Sequence, residues 1–234
     1  MTAQKQIKIL IACERSARVR DAFFDPIFDV WSCDTSPSDK PGKHFQGNVL
    51  DYLYLGWHAI IAFPPCTYLS RAGNANWLDQ GRATLRASAL RLVADIWDAP
   101  TPFICIENPQ GILSSFLHPP SQIIHPYYFG EHQRKRTCLW LQGFPPLLHA
   151  PQDTLFYPKT HVPPPAPVYI DSTGKARHWC DSQHSYTDRQ VIRSKTFTSV
   201  AEAMASQWSP FLINHFCKPQ LIYETEDEPK MERR

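Results

Sequence analysis

The sequence predicts an α/β domain with a parallel β-sheet that helices cover on both faces. Short apolar runs alternate with segments of helical periodicity along residues 1–143, which is typical of parallel strands joined by helical crossovers. The chain has 234 residues, of which 43% are hydrophobic, so it can bury one good-sized core. We therefore predict one main domain with a small appendage.

Five apolar runs are predicted to be strands, because each is short and bounded by polar or turn-forming residues. They are 7–12 (IKILIA), 28–34 (FDVWSCD), 57–63 (WHAIIAF), 103–108 (FICIEN) and 137–141 (TCLWL). We expect these strands to run parallel to one another.

Three segments have the periodicity of helices. The first, 15–24, places Val19, Ala22 and Phe23 on one face and has Ser16 as its predicted N-cap. The second, 82–97, and the third, within 193–216, each carry an apolar stripe that we interpret as core packing. The stripes consist of Leu85, Ala89, Leu92, Val93, Ile96 and Trp97 in the second segment and of Val200, Met204, Trp208, Phe211 and Leu212 in the third.

A proline-rich segment follows the last predicted strand, with eight prolines among the 27 residues 144–170. Proline lacks a backbone N–H, so this segment cannot be a regular helix or a central strand. We expect a small irregular subdomain over 144–195 and a helix over 196–218 that completes the core. The tail 219–234 is strongly charged, and we expect it to be disordered.

Charge and thiol content narrow the possible function classes. The net charge is only +2, so the chain is not a strongly basic nucleic-acid binder overall. No run approaches the roughly 18 to 20 apolar residues of a membrane span, and we expect no membrane partner. The seven cysteines are scattered, without a CxxC pair or a secretory leader. These features favour free thiols in a cytoplasmic protein. We expect a monomer.

Four reactive or acidic side chains lie at or just past the carboxyl ends of predicted strands: Cys13, Asp34, Cys66 and Glu107. The carboxyl ends of parallel strands share one rim of the sheet, and ligands bind beyond that rim. The sequence therefore predicts a functional site at the rim.

Cys66 is the most distinctive of these residues, because Pro64 and Pro65 precede it. Their rings restrict two φ angles, which fixes the approach of the chain to the thiol. A thiolate is a strong nucleophile, and the carboxyl group of Glu107 can act as an acid or bind a ring nitrogen. The pair suits attack on an electron-poor ring such as a pyrimidine, although each residue taken alone is more often structural.

The same segments resemble the motifs of DNA cytosine-5 methyltransferases. HAIIAFPPCTYLS resembles the Pro-Cys motif of that family, FICIENPQG its Glu-Asn motif and FGEHQRKRTCLWL its Gln-Arg-Arg motif. LIACERSARVRDAFF, WSCD and GNVLDYL stand where the first three motifs lie, and the helix 199–212 where the last one lies. The order matches over residues 7–141, and the sequence looks closest to a short, phage-type branch with a reduced target-recognition region.

The resemblance implies a Rossmann-like, S-adenosylmethionine-dependent sheet and a covalent mechanism on DNA. Cys66 would add to C6 of cytosine, and Glu107 would hold the N3 edge while C5 accepts the methyl group. Asn108 would brace the loop that carries Cys66, and Lys135 stands at one of the arginine positions of the later motif. A cytosine in a duplex must first be flipped out of the base stack.

The resemblance also implies residues that bind the two substrates. Those toward S-adenosylmethionine are Cys13, Glu14, Ser16, Ala17, Asp34, Asn48 and Pro64. Those toward nucleic acid are Ser70, Arg71, Arg134 and Arg136. Asp34 would bind the ribose hydroxyls, a role that carboxylates commonly have at this position of the sheet.

Three departures from the family pattern keep other readings open. The first motif has no glycine, the two arginine positions fall on Lys135 and Thr137, and only 144–195 stands in place of a large recognition domain. The small recognition segment favours a pyrimidine nucleotide or a single strand as the substrate. The glycine-free motif favours a non-catalytic DNA-binding protein that has lost its cofactor.

Two further groups of side chains have weaker functional readings. His178, Cys180 and His184 are potential zinc ligands, but their spacing matches no common finger, and we expect no metal. Aromatic residues near the predicted site are candidates for stacking on a flipped base, although each is more often a packing residue. They are Tyr68, Trp77, Tyr127 and Tyr128.

Overall fold

A computed structural model describes residues 6–71, 80–178 and 195–217 of the protein. Its main feature is a seven-stranded sheet. The strands are β1 (Ile7–Ala12), β2 (Phe28–Asp34), β3 (His44–Gln46), β4 (Ala59–Ala62), β5 (Phe103–Pro109), β6 (Gln122–Ile124) and β7 (Thr137–Gln142).

The strand order across the sheet is β3-β2-β1-β4-β5-β7-β6. Strands β1 to β5 are parallel, whereas β7 runs antiparallel to both of its neighbours. The predicted Rossmann-like α/β fold class is confirmed, but the prediction of an entirely parallel sheet is wrong. The connection from β6 to β7 contains only a 3-10 turn, Pro126–Phe129, and a reversal without a crossover helix can join only antiparallel strands.

Helices cover both faces of the sheet. Helices α1 (Arg18–Ala22) and α4 (Thr198–Cys217) pack on one face, where Val19, Met204 and Trp208 are buried. Helices α2 (Gln80–Trp97) and α3 (Leu113–Phe116) contribute to the core on the other face. None of the helices in the described ranges is long and apolar enough to cross a membrane.

Two details of the predicted helices are wrong. Helix α1 covers only Arg18–Ala22, and its N-cap is Ala17 rather than Ser16. Leu85 is 47% exposed, because the fully buried face of α2 is confined to its C-terminal half, at Val93 and Ile96. The predicted strands match closely, although β4 is shorter than 57–63 at both ends.

The sequence patterns do not reveal β3 and β6, which have three residues each. Strands this short contain too few residues to show alternation, and pairing with a neighbouring strand decides their conformation.

The proline-rich segment is irregular, as expected from its composition. Between 144 and 178 it contains one two-stranded sheet, β8 (Tyr169–Ile170) with β9 (Ala176–Arg177). Its first residues dock on α4, where the ring of Phe144 stacks on Trp208 and the indole N–H of Trp208 donates to the carbonyl of Pro145 at 3.0 Å. The predicted disordered tail lies outside the described residues.

Candidate active site

The sheet order brings the predicted site residues to one rim in a simple spatial sequence. Asn48 follows β3, Asp34 ends β2 and Cys13 follows β1. Cys66 follows β4 and Glu107 lies near the end of β5, which are the next two strands across the sheet. The strand order reverses between β1 and β4, and this switch point is where α/β sheets open a crevice for ligands.

The loop that carries Cys66 is docked on the loop after β5. Cys66 is half-buried at the start of a 3-10 turn, Cys66–Tyr68. The amide of Ile112 donates to the carbonyl oxygen of Leu69 at 2.9 Å. The amide of Arg71 donates to the carbonyl oxygen of Gln110 at 3.1 Å. These bonds join the two loops side by side.

Gly111 makes this docking possible. It pairs with Ser70 in an antiparallel bridge, and a Cβ atom at Gly111 would lie only 1.9 Å from the carbonyl oxygen of Leu69. Any side chain would therefore push the two loops apart. Ser70 is 6% exposed, so in this conformation its place is in the loop packing, whereas Arg71 is exposed.

The buried side chain of Asn108 also connects these two loops. Its Nδ2 donates to the carbonyl oxygen of Pro64 at 2.7 Å, and the side chain is 1% exposed. This bond joins the end of β5 to the loop that carries Cys66. The Oδ1 atom of Asn108 is also buried and has no hydrogen-bond partner among the described residues.

Glu107 is paired with Lys135. The Nζ atom of Lys135 lies 3.6 Å from Oε1 of Glu107, and each side chain is 14% exposed. Arg134 and Arg136 are exposed on either side of Lys135, although this stretch precedes β7 and is not itself a strand. The alternation turns Lys135 toward the carboxylate and both arginines toward solvent.

Four of the other cysteines have a raised pKa. Burial raises the pKa of Cys13 and of Cys33 to about 12, with the nearby carboxylate of Asp34 acting in the same direction. Burial also raises the pKa of Cys105 and of Cys138. A thiol with a raised pKa is a poor nucleophile at neutral pH, so these four cysteines are weaker candidates for a nucleophile than a thiol of ordinary pKa.

The glycine-free loop after β1 has a backbone conformation that glycine usually adopts. Cys13 and Ala17 both have a φ of 58°, in the left-handed region that is unfavourable for residues with a Cβ. Ala17 is fully buried. The loop therefore makes two left-handed turns without glycine.

Glu14 holds this loop together from inside. Its Oε1 accepts hydrogen bonds from the Ser16 hydroxyl and the Val19 amide, both at 2.9 Å, and its Oε2 accepts from the Arg20 amide at 3.3 Å. Burial raises the pKa of Glu14, and these hydrogen bonds oppose the shift. Glu14 thus satisfies the amides of the second and third residues of α1, and the amide of the first, Arg18, donates to the Ser16 hydroxyl at 3.4 Å.

The side chains of Asp34 and Asn48 differ in their hydrogen bonds. One carboxylate oxygen of Asp34 accepts from the amide of Ser36 at 2.8 Å, and the other has no hydrogen bond to any residue that the structure describes. Asn48 is exposed and caps the turn Val49–Asp51 by accepting from the amide of Leu50 at 3.2 Å.

The sequence did not point to the segment 195–199, which connects both sides of the site. On one side, Lys195 lies 2.9 Å from Asp39, which also pairs with Arg15 at 2.7 Å, and the Arg18 guanidinium donates to the carbonyl of Thr196 at 2.7 Å. We call this segment the strap. Arg15 and Arg18, which precede or begin α1, thus help to hold the strap, Arg15 through Asp39 and Arg18 directly.

On the other side, the strap reaches the segment that carries Lys135. The hydroxyl of Ser199 donates to Oε2 of Glu131 at 2.9 Å. The ammonium of Lys135 lies 5.9 Å from the ring centroid of Phe197. Contacts between residues so far apart in sequence leave no local pattern that could have predicted them.

Some candidates fall outside the described residues, namely Trp77, Cys180 and His184. Within the described ranges, no three His, Cys, Asp or Glu side chains are grouped so that they could hold a metal ion. Tyr68 is half-buried, and the guanidinium of Arg82 lies 5.2 Å from its ring centroid.

No protein-family model matches the sequence, and no curated protein is similar to it. Among solved structures, the chain is similar to a candidate DNA modification methyltransferase encoded within a prophage of E. coli, with 14% sequence identity and a TM-score of 0.37. The match covers 58% of this chain and 46% of that one, so it spans about half the length of the solved structure.

Proposed function

We propose that the protein is an S-adenosylmethionine-dependent methyltransferase that modifies C5 of cytosine in DNA through a covalent adduct at Cys66. One observation carries the proposal. Asn108, the neighbour of Glu107, holds the carbonyl of Pro64 two residues before Cys66, at 2.7 Å. The nucleophile and the carboxylate are thereby attached to one rigid pair of loops.

In this mechanism the Cys66 sulfur adds to C6 of a flipped cytosine, and the electron pair of the 5,6 double bond becomes available at C5. Glu107 binds the N3 edge of the ring, and Lys135 holds the carboxylate in place from 3.6 Å. C5 would accept the methyl group, with S-adenosylhomocysteine as the leaving group, and would then lose its proton to a base. The C6–S bond breaks as the double bond re-forms, and the thiolate is restored.

The cofactor would bind in the crevice between the loops after β1 and β4. S-adenosylmethionine supplies an electrophilic methyl group on a sulfonium centre. The uncommitted carboxylate oxygen of Asp34 suits ribose hydroxyls, and the left-handed turns at Cys13 and Ala17 replace the missing glycines in shaping the loop. Glu14 would act indirectly, since its carboxylate is turned toward α1.

Two other functions remain as alternatives, each favoured by one observation. The described part of 144–195 has no helix, and its strands have two residues each, whereas reading a duplex requires an element that fits the major groove. This favours a pyrimidine nucleotide or a single strand as the substrate. The absence of glycine between Cys13 and Ala17 favours a non-catalytic DNA-binding protein.

Mass analysis of nucleosides from the DNA of cells that express the protein tests the proposal directly. We expect 5-methylcytosine with the wild type and none with Cys66→Ala of equal thermal stability. A folded Cys66→Ala variant that retains full activity would contradict the covalent mechanism. DNA containing 5-fluorocytosine should form a stable adduct at Cys66, because fluorine cannot leave as the proton does.

Two measurements separate the alternatives. Calorimetry with S-adenosylmethionine distinguishes both enzymes from the non-catalytic protein, which would not bind it. Activity on a mononucleotide, a single strand and a duplex then distinguishes the two enzymatic readings.

A further inference from the structure

The segment that carries Lys135 is a loop. Residues 131–136 connect the 3-10 turn Pro126–Phe129 to β7 and form neither a helix nor a strand. The amide of Gln133 donates to the carbonyl oxygen of Glu131 at 2.6 Å, which makes a tight turn two residues before Lys135. Side chains on loops are positioned less precisely than those on helices or strands, unless further contacts restrain them.

The side chain of Glu131 fixes this loop to the N-terminal end of α4. Its Oε2 accepts hydrogen bonds from the Ser199 hydroxyl at 2.9 Å and from the Ser199 amide at 3.3 Å. Ser199 is the second residue of α4, so its amide has no acceptor within the helix. A carboxylate is favourable at this position, because the N-terminal end of a helix carries a partial positive charge.

A second contact joins α4 to the loop at Lys135 itself. Phe197 directly precedes α4, and its carbonyl oxygen accepts from the amides of Val200 and Ala201 at 3.1 and 3.0 Å. The Lys135 ammonium lies 5.9 Å from the ring centroid of Phe197, a distance at which the face of an aromatic ring attracts a cation. The same ammonium lies 3.6 Å from Oε1 of Glu107. Lys135 therefore lies between the strap and the carboxylate.

The strap is itself anchored, so it can act as a fixed support for the loop. The guanidinium of Arg18 donates to the carbonyl oxygen of Thr196 at 2.7 Å, and Lys195 lies 2.9 Å from Asp39. Both contacts are on the side of β1 and β2, whereas the loop precedes β7. The position of Lys135 thus depends on a part of the sheet that is several strands away.

We infer that Glu131 is a positioning residue: it fixes the loop to α4, holds Lys135 beside Phe197 and, through Lys135, orients the Glu107 carboxylate. The importance of this orientation for catalysis rests on the proposed function, in which Glu107 binds the N3 edge of the base. In this role Glu131 contacts neither the base nor the cofactor. The simpler alternative is that Glu131 caps α4 and has no effect on Lys135.

Acylation of lysines by an N-hydroxysuccinimide ester, measured by peptide mass analysis, tests the positioning without any catalytic step. Lys135 is 14% exposed, and the exposed Lys159 is the internal reference. We expect Glu131→Ala to raise the labelling rate of Lys135 severalfold relative to Lys159. Glu131→Gln keeps an oxygen that accepts from Ser199, and Lys135 should be labelled in this variant as in the wild type. An unchanged rate in Glu131→Ala would overturn the inference.

Gln207→Ala is the matched control, because it also removes contacts between α4 and an irregular segment. Gln207 accepts from the amide of Leu148 at 2.7 Å and donates to the carbonyl oxygen of Leu148 at 2.9 Å. It lies about two turns further along α4 than Ser199. Gln207→Ala should leave the labelling rate of Lys135 unchanged, even if thermal stability falls. An equal increase in both variants would mean that Glu131 is only a cap.

Steady-state kinetics test whether the positioning matters for turnover. Glu131→Ala should lower kcat per folded molecule about tenfold, with KM for S-adenosylmethionine near the wild-type value, because the contacts of Asp39 with the strap remain. Glu131→Gln should retain most of the activity. Wild-type kcat in Glu131→Ala, despite faster labelling of Lys135, would show that the orientation of Glu107 does not depend on Glu131.

A second variant keeps the inference testable if Glu131→Ala does not fold. Ser199→Ala removes the hydroxyl donor and leaves the amide, and it should also raise the labelling rate of Lys135. An unchanged rate in Ser199→Ala would then overturn the inference. If labelling responds as expected in a protein that makes no 5-methylcytosine, the positioning of Lys135 stands and the proposed function alone is contradicted.

Discussion

Asn108 and Pro64 are joined by a buried hydrogen bond of 2.7 Å that spans 44 residues of sequence. It attaches the end of β5 to the loop after β4, and the bridge between Ser70 and Gly111 attaches the same two loops further out. Cys66 lies between these two attachments. Its position is therefore set by the neighbouring strand as well as by the prolines that precede it.

Asn108→Ala should lower the free energy of unfolding by about 1–2 kcal/mol, because it removes one buried hydrogen bond and leaves the carbonyl of Pro64 unsatisfied. Turnover per folded molecule should fall further, since Cys66 loses its alignment. Chemical denaturation and nucleoside analysis measure the two effects. The control Asn214→Ala, at an exposed position in α4, should change neither quantity. Wild-type turnover in Asn108→Ala would show that Asn108 does not position the loop that carries Cys66.

Gly111→Ala should displace the Cys66 loop, because the added Cβ would lie 1.9 Å from a backbone oxygen. We expect a loss of about 2 kcal/mol or more in stability together with most of the activity. Gly56→Ala is the control, since it adds a Cβ with nothing within 4 Å at a φ of 72°. Gly56→Ala should lower the stability only by the cost of placing alanine in the left-handed conformation, about 1–2 kcal/mol. Similar effects of both substitutions on activity would show that the docking of the loops is unimportant.

Lys135→Met should lower turnover at least tenfold with little change in thermal stability, because Lys135 positions the Glu107 carboxylate from 3.6 Å at the bottom of the site. Lys135→Arg should restore part of the activity, since it keeps the charge. Lys43→Met, which breaks a pair with Asp29 at 2.6 Å away from the rim, is the control. An inactive Lys43→Met would point to a general effect of charge instead.

Asp39→Asn should loosen the strap, because Asp39 binds Arg15 and Lys195 at the same time. These side chains are partly exposed, so we expect stability to fall by less than about 1 kcal/mol, but we expect a severalfold weaker binding of S-adenosylmethionine by calorimetry. Asp95→Asn breaks a comparable acid–arginine pair on α2 and should leave cofactor binding unchanged. If Asp39→Asn and the wild type bind S-adenosylmethionine equally well, the ion pairs of Asp39 do not contribute to cofactor binding.

The stability of the protein should decrease as the pH falls from about 6.5 toward 4. Burial lowers the pKa of His125 to about 4, and burial lowers those of His149 and His161, whose rings share a hydrogen bond of 2.8 Å. A histidine with a lowered pKa in the folded state takes up its proton first in the unfolded state, so the loss of stability begins below the unfolded pKa and is complete below the folded one.

His125→Gln should therefore flatten this pH dependence by on the order of 1 kcal/mol at pH 4, because His125 is only half-buried and solvent screens its charge. Thermal unfolding between pH 4 and pH 8 measures the effect. The lowered pKa of Asp39, which Lys195 and Arg15 cause, adds a loss of stability at still lower pH. A wild-type stability that is constant from pH 7 to pH 4 would mean that these histidines are not buried in the folded protein.

Hydrophobic periodicity and turn residues predicted most of the architecture. Strand β1 begins and ends at the predicted residues, and the predicted 103–108 is one residue shorter than β5. The carboxyl-end positions of Cys13, Asp34, Cys66 and Glu107 followed from the same pattern, because strands that alternate with helices run parallel. These are local properties, since each depends on a few consecutive residues.

The sequence by itself determined the α/β class, the irregular proline-rich segment and the rim on which the thiol and the carboxylates lie. Only the tertiary structure decided that β7 runs antiparallel, that Glu14 caps α1 and that the strap joins Asp39 to the segment of Lys135. These features depend on contacts between side chains and backbone groups that are distant in sequence. Their energies arise only when the chain is packed, and no local pattern of residues encodes them.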